Sequence, residues 1–112
     1  MSVRTSGSPS RKGDFAEYYA VTWLWDNGYT VFHNAGCSGP IDMIAIKDGE
    51  VKLIDVKTFR KCDDRVNFIK GTYLRPSDHR TAEQKKLGVQ LLGFNPVTRK
   101  LRFMEHRNAK SD

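Results

Sequence analysis

The dipeptide Asp48-Gly49 lies between two apolar runs, "IDMIAI" and "VKLIDVKT", and it constrains this chain more than any other feature of the sequence. Both central residues of a two-residue type I′ hairpin take positive φ, which Asp and Gly tolerate, so the pattern predicts a tight antiparallel ribbon. If Asp48 and Gly49 make the turn, Lys47 pairs with Glu50, and counting outward sets Asp42 opposite Asp55. Directly opposed residues share a face, with Cβ atoms about 4.5 to 5.5 Å apart. Alternation adds Lys57 to that face. A four-residue loop keeps this pairing; a β-bulge or an odd-length loop breaks it.

Two acids and a lysine on one face need an explanation. Like charges in opposition destabilise a sheet, and burial of either carboxylate adds to the cost unless a cation compensates or a pKa rises. Lys57 can neutralise only one acid. A divalent ion on oxygen ligands resolves the remainder, and carboxylates suit Mg²⁺ or Mn²⁺. The competing reading makes Asp42 and Asp55 solvent-face residues and Lys57 an ordinary ion-pair partner. Against it, Ile44 and Ile46 share the face of Asp42, and Val51 and Leu53 that of Asp55, which predicts that this face is covered along most of its length.

Elsewhere the pattern predicts a single domain. The opening "MSVRTSGSPSRK" is polar and basic, a flexible tail over residues 1–12. "DFAEYYAVTWLWDN" predicts a first helix over residues 14–27, capped by Asp14 and stopped at Gly28. "YTVFHN" reads as a strand. Residues 59–80 lack periodicity and read as a long, partly stranded connection of the kind that often carries function. "TAEQ" fits a capping box, with Thr81 as cap and Gln84 reaching back, for a short helix ending by Gly88. "VQLLGF" and "LRFMEH" close the domain as a second hairpin, and residues 106–112 form a frayed tail. The expected order is α-β-β-β-α-β-β, a mixed sheet flanked by helices.

Composition narrows the partner. The 112 residues carry a net charge of +6, with a pI near 9.5, which favours a polyanion such as nucleic acid. Cys37 and Cys62 have no metal-type or disulfide-scaffold spacing, and no secretory signal precedes them, so a reduced, cytoplasmic setting is expected. No apolar run approaches the ~20 residues that span a bilayer, so no membrane association is expected.

Pro40-Ile41-Asp42, then Asp55-Val56-Lys57 beyond a hairpin, with Glu17 on a preceding helix, resembles the PD-(D/E)XK nuclease superfamily. The resemblance covers about residues 13–105 and implies a restriction-endonuclease-like core. It further implies a Mg²⁺-dependent endonuclease acting on DNA, with Mn²⁺ as a substitute, in a prokaryotic or phage-infected cell. Asp42 and Asp55 would be metal ligands with the Val56 carbonyl, Lys57 would orient or activate the attacking water, and Glu17 would complete the metal shell, directly or through water. Small size and the Gly13-to-Glu17 opening look most like Holliday junction resolvases and phage or mobile-element nucleases. Glu17 has its own plain reading, since acids near a helix N-terminus are favoured by the macrodipole. Gln84 either lines the site, as polar residues on that helix do in related nucleases, or serves only its cap.

For holding DNA, Arg60, Lys61, Arg65, Lys70, Arg75, Arg80, Lys85 and Lys86 follow the catalytic strand, and residues 57–86 hold five of the six net charges. That concentration suits phosphate contacts. Phe59, Phe68 and Tyr73 are interleaved there and read first as packing under the loop, with stacking or wedging against the nucleic acid as the alternative. His33, His79 and His106 have no ligand spacing and read as surface or turn residues. Trp23 and Trp25, two apart on one helix, cannot both face the core; one is open to a dimer interface or to cover by the tail. Cutting both strands of a duplex would call for a two-fold homodimer. The rival function is a catalytically inactive nucleic-acid-binding module of the same fold. A metal-independent RNA-cleaving enzyme is disfavoured because no His pair is placed for acid–base work.

Overall fold

The computed structural model describes residues 9–36, 38–61, 72–73 and 79–105; residues 9–13, 61, 72 and 73 are described by backbone alone. Helix α1 runs over Pro9–Asp26. It therefore begins five residues before Asp14, and residues 9–12, expected as tail, are helical. Proline suits a first helical position because its missing N–H would have no partner there, and its fixed φ already matches the helix. The far end is as expected: Gly28 at φ 90 closes a Schellman turn, with Gly28 N–H donating to Trp25 O (3.0 Å) and Tyr29 N–H to Leu24 O (3.0 Å).

Strands β1 (Thr30–His33), β2 (Met43–Lys47) and β3 (Glu50–Thr58) follow. Asp48 and Gly49 take φ 54 and 81, the double positive of a type I′ turn. The β2–β3 ladder runs from Lys47 opposite Glu50 to Met43 opposite Ile54, in the register that the turn dictates. Within the region read as connection, β4 (Arg60–Lys61) and β5 (Thr72–Tyr73) pair as a short ribbon. Helix α2 (Ala82–Leu87) carries the full reciprocal capping box of Thr81 and Gln84, with Gly88 left-handed at its end. Strands β6 (Val89–Phe94) and β7 (Leu101–Phe103) complete a five-stranded sheet in the order β1-β2-β3-β6-β7, in which β3 and β6 are parallel and the other pairs antiparallel.

The core lies between α1 and one face of that sheet. Ala16, Ala20 and Leu24 recur every four residues and are fully buried, so two small side chains bring the helix close to Met43, Ala45, Ile54 and Leu92. The expectation for the sheet's faces is thus corrected. The face of Ile44, Ile46, Leu53 and Val51 is the less covered one, and Val51 is 55% exposed. The six-residue α2 packs on β6 and is too short to cover β2 and β3 as α1 does on the other side. Arg99 ties the β6–β7 turn to α1: its guanidinium lies over the Phe15 and Tyr19 rings and Nη1 donates to the Tyr19 hydroxyl (3.1 Å). Trp23 is half buried against Phe103 while Trp25 is 60% exposed, so only one of the pair faces inward. No helix among the described residues is long and apolar enough to cross a membrane.

Gly93, opposite Lys57 on β6, is the tightest glycine of the sheet. A Cβ there would fall 2.6 Å from Cζ of the buried Phe59 ring and 3.1 Å from Met104 Sδ. Gly93→Ala is accordingly expected to destabilise the chain by about 1–3 kcal/mol through overpacking, read as a lower denaturation midpoint in urea.

Candidate active site

Past Met43 the ribbon departs from regular pairing. The Asp42 N–H donates to Ile54 O (2.8 Å), one residue out of register, while the Asp42 carbonyl still accepts from the N–H of Asn34, just past the end of β1 (2.9 Å). Direct opposition of Asp42 and Asp55 is therefore replaced by a bulge-like turn of the backbone. The two acids nonetheless meet. Asp42 Oδ2 accepts the Val56 N–H at 2.7 Å, standing where a main-chain carbonyl would stand if β2 continued. Amide and carbonyl of one strand residue point the same way, so the Val56 carbonyl also faces the side on which β2 has ended.

Asp55 is only 7% exposed, on the face of Leu53 and Lys57. Its Oδ2 is buried without a hydrogen bond, and Lys57 Nζ lies 3.4 Å from it, an ion-pair distance without hydrogen-bond geometry. Burial pushes the Asp42 carboxyl up to about 7; the Val56 amide opposes this, and the neighbouring Asp55 and the charge of Glu17 add to it.

Glu17 reaches the same end of the sheet from α1. Its Oε1 meets His33 Nε2 at 3.1 Å. Burial raises its pKa, the charge of His33 and the hydrogen bond to it lower it, and the charges of Asp14 and Asp55 raise it further. Among the described residues no three His, Cys, Asp or Glu side chains form a group that could hold a metal ion by themselves. The oxygens available to a cation are those of Asp42 and Asp55 with the Val56 carbonyl, and the orphaned Asp55 Oδ2 fits the place of such a ligand. An all-oxygen set of this kind suits a hard divalent ion.

Gln84 does two things: its Oε1 accepts the Thr81 N–H within the capping box (3.0 Å), and its Nε2 donates to Pro40 O (2.8 Å) in the loop that leads to Asp42. Of the residues expected to hold DNA, Arg60, Lys85 and Lys86 are exposed, whereas Arg80 turns inward, its Nη1 donating to Val89 O (3.2 Å). The side chain of Lys61 and all of Arg65, Lys70 and Arg75 lie outside the described residues, as do Cys37, Cys62, Phe68 and His106. Two residues escaped sequence reasoning. His33, expected as a plain surface or turn residue, is the partner of Glu17, and Asn34 secures the loop before Asp42. The long loop between β1 and β2 fixes no register, so nothing in the sequence aligned either with the acids.

The chain superimposes on a bacterial homing endonuclease, I-Ssp6803I, with a TM-score of 0.62 over 87% of its own length, at 16% identity. It spans 64% of the length of that chain. No protein-family model matches the sequence, and no curated protein matches it. The mixed five-stranded sheet flanked by helices is thus the nuclease-like fold of that neighbour.

The raised pKa of Asp42 has a definite sign in stability. The folded chain binds this proton more tightly than the unfolded one, so the contribution is full below pH about 4 and is lost as pH rises through about 7. Without divalent ions, the Tm of the parent chain should fall across that window by more than that of Asp42→Asn, which keeps an oxygen for the Val56 amide and has no carboxyl proton to lose. Thermal melts of both proteins across the window check this.

Proposed function

We propose that this chain is a metal-dependent endonuclease that hydrolyses DNA phosphodiester bonds with a PD-(D/E)XK-type site. The observation that carries the proposal is the pair Asp42 and Asp55, half-buried and buried respectively, with the Asp42 carboxyl pushed up to about 7 by burial, one Asp55 oxygen orphaned, and a lysine beside them. A purely structural pair would be expected to satisfy its buried oxygens. The fold shared with a homing endonuclease and the net charge of +6 support the same reading.

Asp42, Asp55 and the Val56 carbonyl would hold Mg²⁺, with Mn²⁺ as a substitute. Once bound, the ion would polarise the scissile phosphate and lower the pKa of a water. The remaining work falls to the chain. The Val56 amide orients Asp42 Oδ2. Lys57 Nζ places a positive charge and hydrogen-bond donors beside Asp55, where it can orient an attacking water. Glu17, held by His33, adds negative charge from α1 and joins the site through water. Exposed Arg60, Lys85 and Lys86 supply phosphate contacts.

Within this reading the substrate is duplex or branched DNA, cut by a homodimer when both strands are broken, since two-fold symmetry matches two sites to two strands. Trp25, exposed on α1, is available to such an interface. The inactive binding module is the weaker reading, because Glu17, Asp42, Asp55 and Lys57 are all present and three of them meet at one strand end.

Cleavage of branched, duplex and single-stranded DNA, with Mg²⁺, with Mn²⁺ and with chelator, tests the proposal. Asp55→Ala should abolish cutting while DNA binding, measured by fluorescence anisotropy, is kept or tightened. Lys57→Ala should slow cutting by about 10²- to 10⁴-fold. Undiminished cutting by Asp55→Ala, or in excess chelator, would refute it.

A further inference from the structure

We infer that Asn34 is a positioning residue for the cation site, because it fixes both peptide planes that flank the Asp42 Cα; this rests on the reading that Asp42 and Asp55 hold a divalent ion. The peptide on the N-terminal side of Asp42 contains the Ile41 carbonyl, which accepts from Asn34 Nδ2 at 2.8 Å. The same plane carries the Asp42 N–H, which donates to Ile54 O at 2.8 Å. The peptide on the C-terminal side contains the Asp42 carbonyl, which accepts from the Asn34 N–H at 2.9 Å. With both planes held, only the side-chain torsions of Asp42 remain, and the Val56 N–H on Oδ2 sets those.

No hydrogen-bonding group of the Asn34 side chain is left over. Its second amide hydrogen goes to Ser38 O (2.7 Å), and its Oδ1 accepts the Gly36 N–H (2.8 Å). An amide of this length donates twice and accepts once within one loop; Asp lacks the donors, Ser has one, and Gln is longer by a methylene. From the α2 side, Gln84 Nε2 holds Pro40 O, so the loop is fixed at both flanks. Residues that orient metal ligands from behind affect metal affinity almost as the ligands do.

The experiment is calorimetric titration of Mn²⁺ into the full chain, as parent, Asn34→Ala, Asn34→Ser, Asn95→Ala and Asp55→Ala, alongside the Mn²⁺ concentration that half-saturates cleavage. Serine keeps an acceptor for Gly36 but cannot hold both the Ser38 and Ile41 carbonyls. Asn95 shapes the β6–β7 turn in the same way, its Oδ1 accepting from Val97 N–H (2.8 Å) and Thr98 N–H (3.1 Å), and it serves as the control for loss of an asparagine turn. Both Asn34 variants are expected to raise the Mn²⁺ Kd by about 10- to 100-fold, with the half-saturating concentration rising in parallel, while Asn95→Ala keeps the parent Kd. A variant that merely misfolds loses binding sites per chain and keeps the parent Kd in the folded remainder; that result, or a parent Kd at full stoichiometry, overturns the role of Asn34. Undiminished Mn²⁺ binding by Asp55→Ala would overturn the cation site itself.

Discussion

The hydrogen bond from the Val56 amide to the Asp42 carboxylate organises the end of the sheet where the two acids meet. Strand β2 stops at Met43 while β3 continues to Thr58, which leaves an N–H on β3 without a main-chain partner. Asp42 supplies the missing acceptor with its side chain. A part-buried amide thereby finds its partner, and a carboxylate is drawn partly out of water beside a second carboxylate. The rise in the Asp42 pKa is the electrostatic cost of that substitution, and a bound cation would offset it.

The remaining structure serves to hold that end of the sheet still. Small residues on α1 bring the helix against β2, β3 and β6, so that Glu17 arrives at the strand ends with His33 beside it. The parallel pairing of β3 with β6 puts Gly93 next to Lys57 and leaves space for the Phe59 ring, over which the Arg102 guanidinium lies. On the opposite flank, α2 is short, yet its cap residue Gln84 doubles as a tether for Pro40. The contacts of Gly93, Arg102 and Gln84 each restrain a residue within two positions of Asp42 or Lys57.

Local rules made much of this readable. Asp48-Gly49 specified the turn and, through it, the five pairs of the β2–β3 ladder. Thr81 to Gln84 announced the capping box, and Gly28 the end of α1, because each depends on residues within one or two turns of itself. The start of α1 was misplaced because Asp14 is a good cap in isolation, while Pro9 nucleates as well from further upstream. The covered face was misjudged because apolar side chains on both faces of β2 and β3 give similar patterns, and only the reach of α1 and α2 separates them.

From sequence alone, then, come the ribbon, the acids, the lysine and their order along the chain, since a two-residue turn transmits register by covalent geometry. Tertiary structure decided how the acids meet: through a bulge-like departure at Asp42, a side chain replacing a strand, Glu17 paired with His33, and a loop pinned by Asn34 and Gln84. Those features depend on which groups are left without hydrogen-bond partners after the sheet has assembled. Such a deficit belongs to the packed molecule, and no short stretch of sequence carries it.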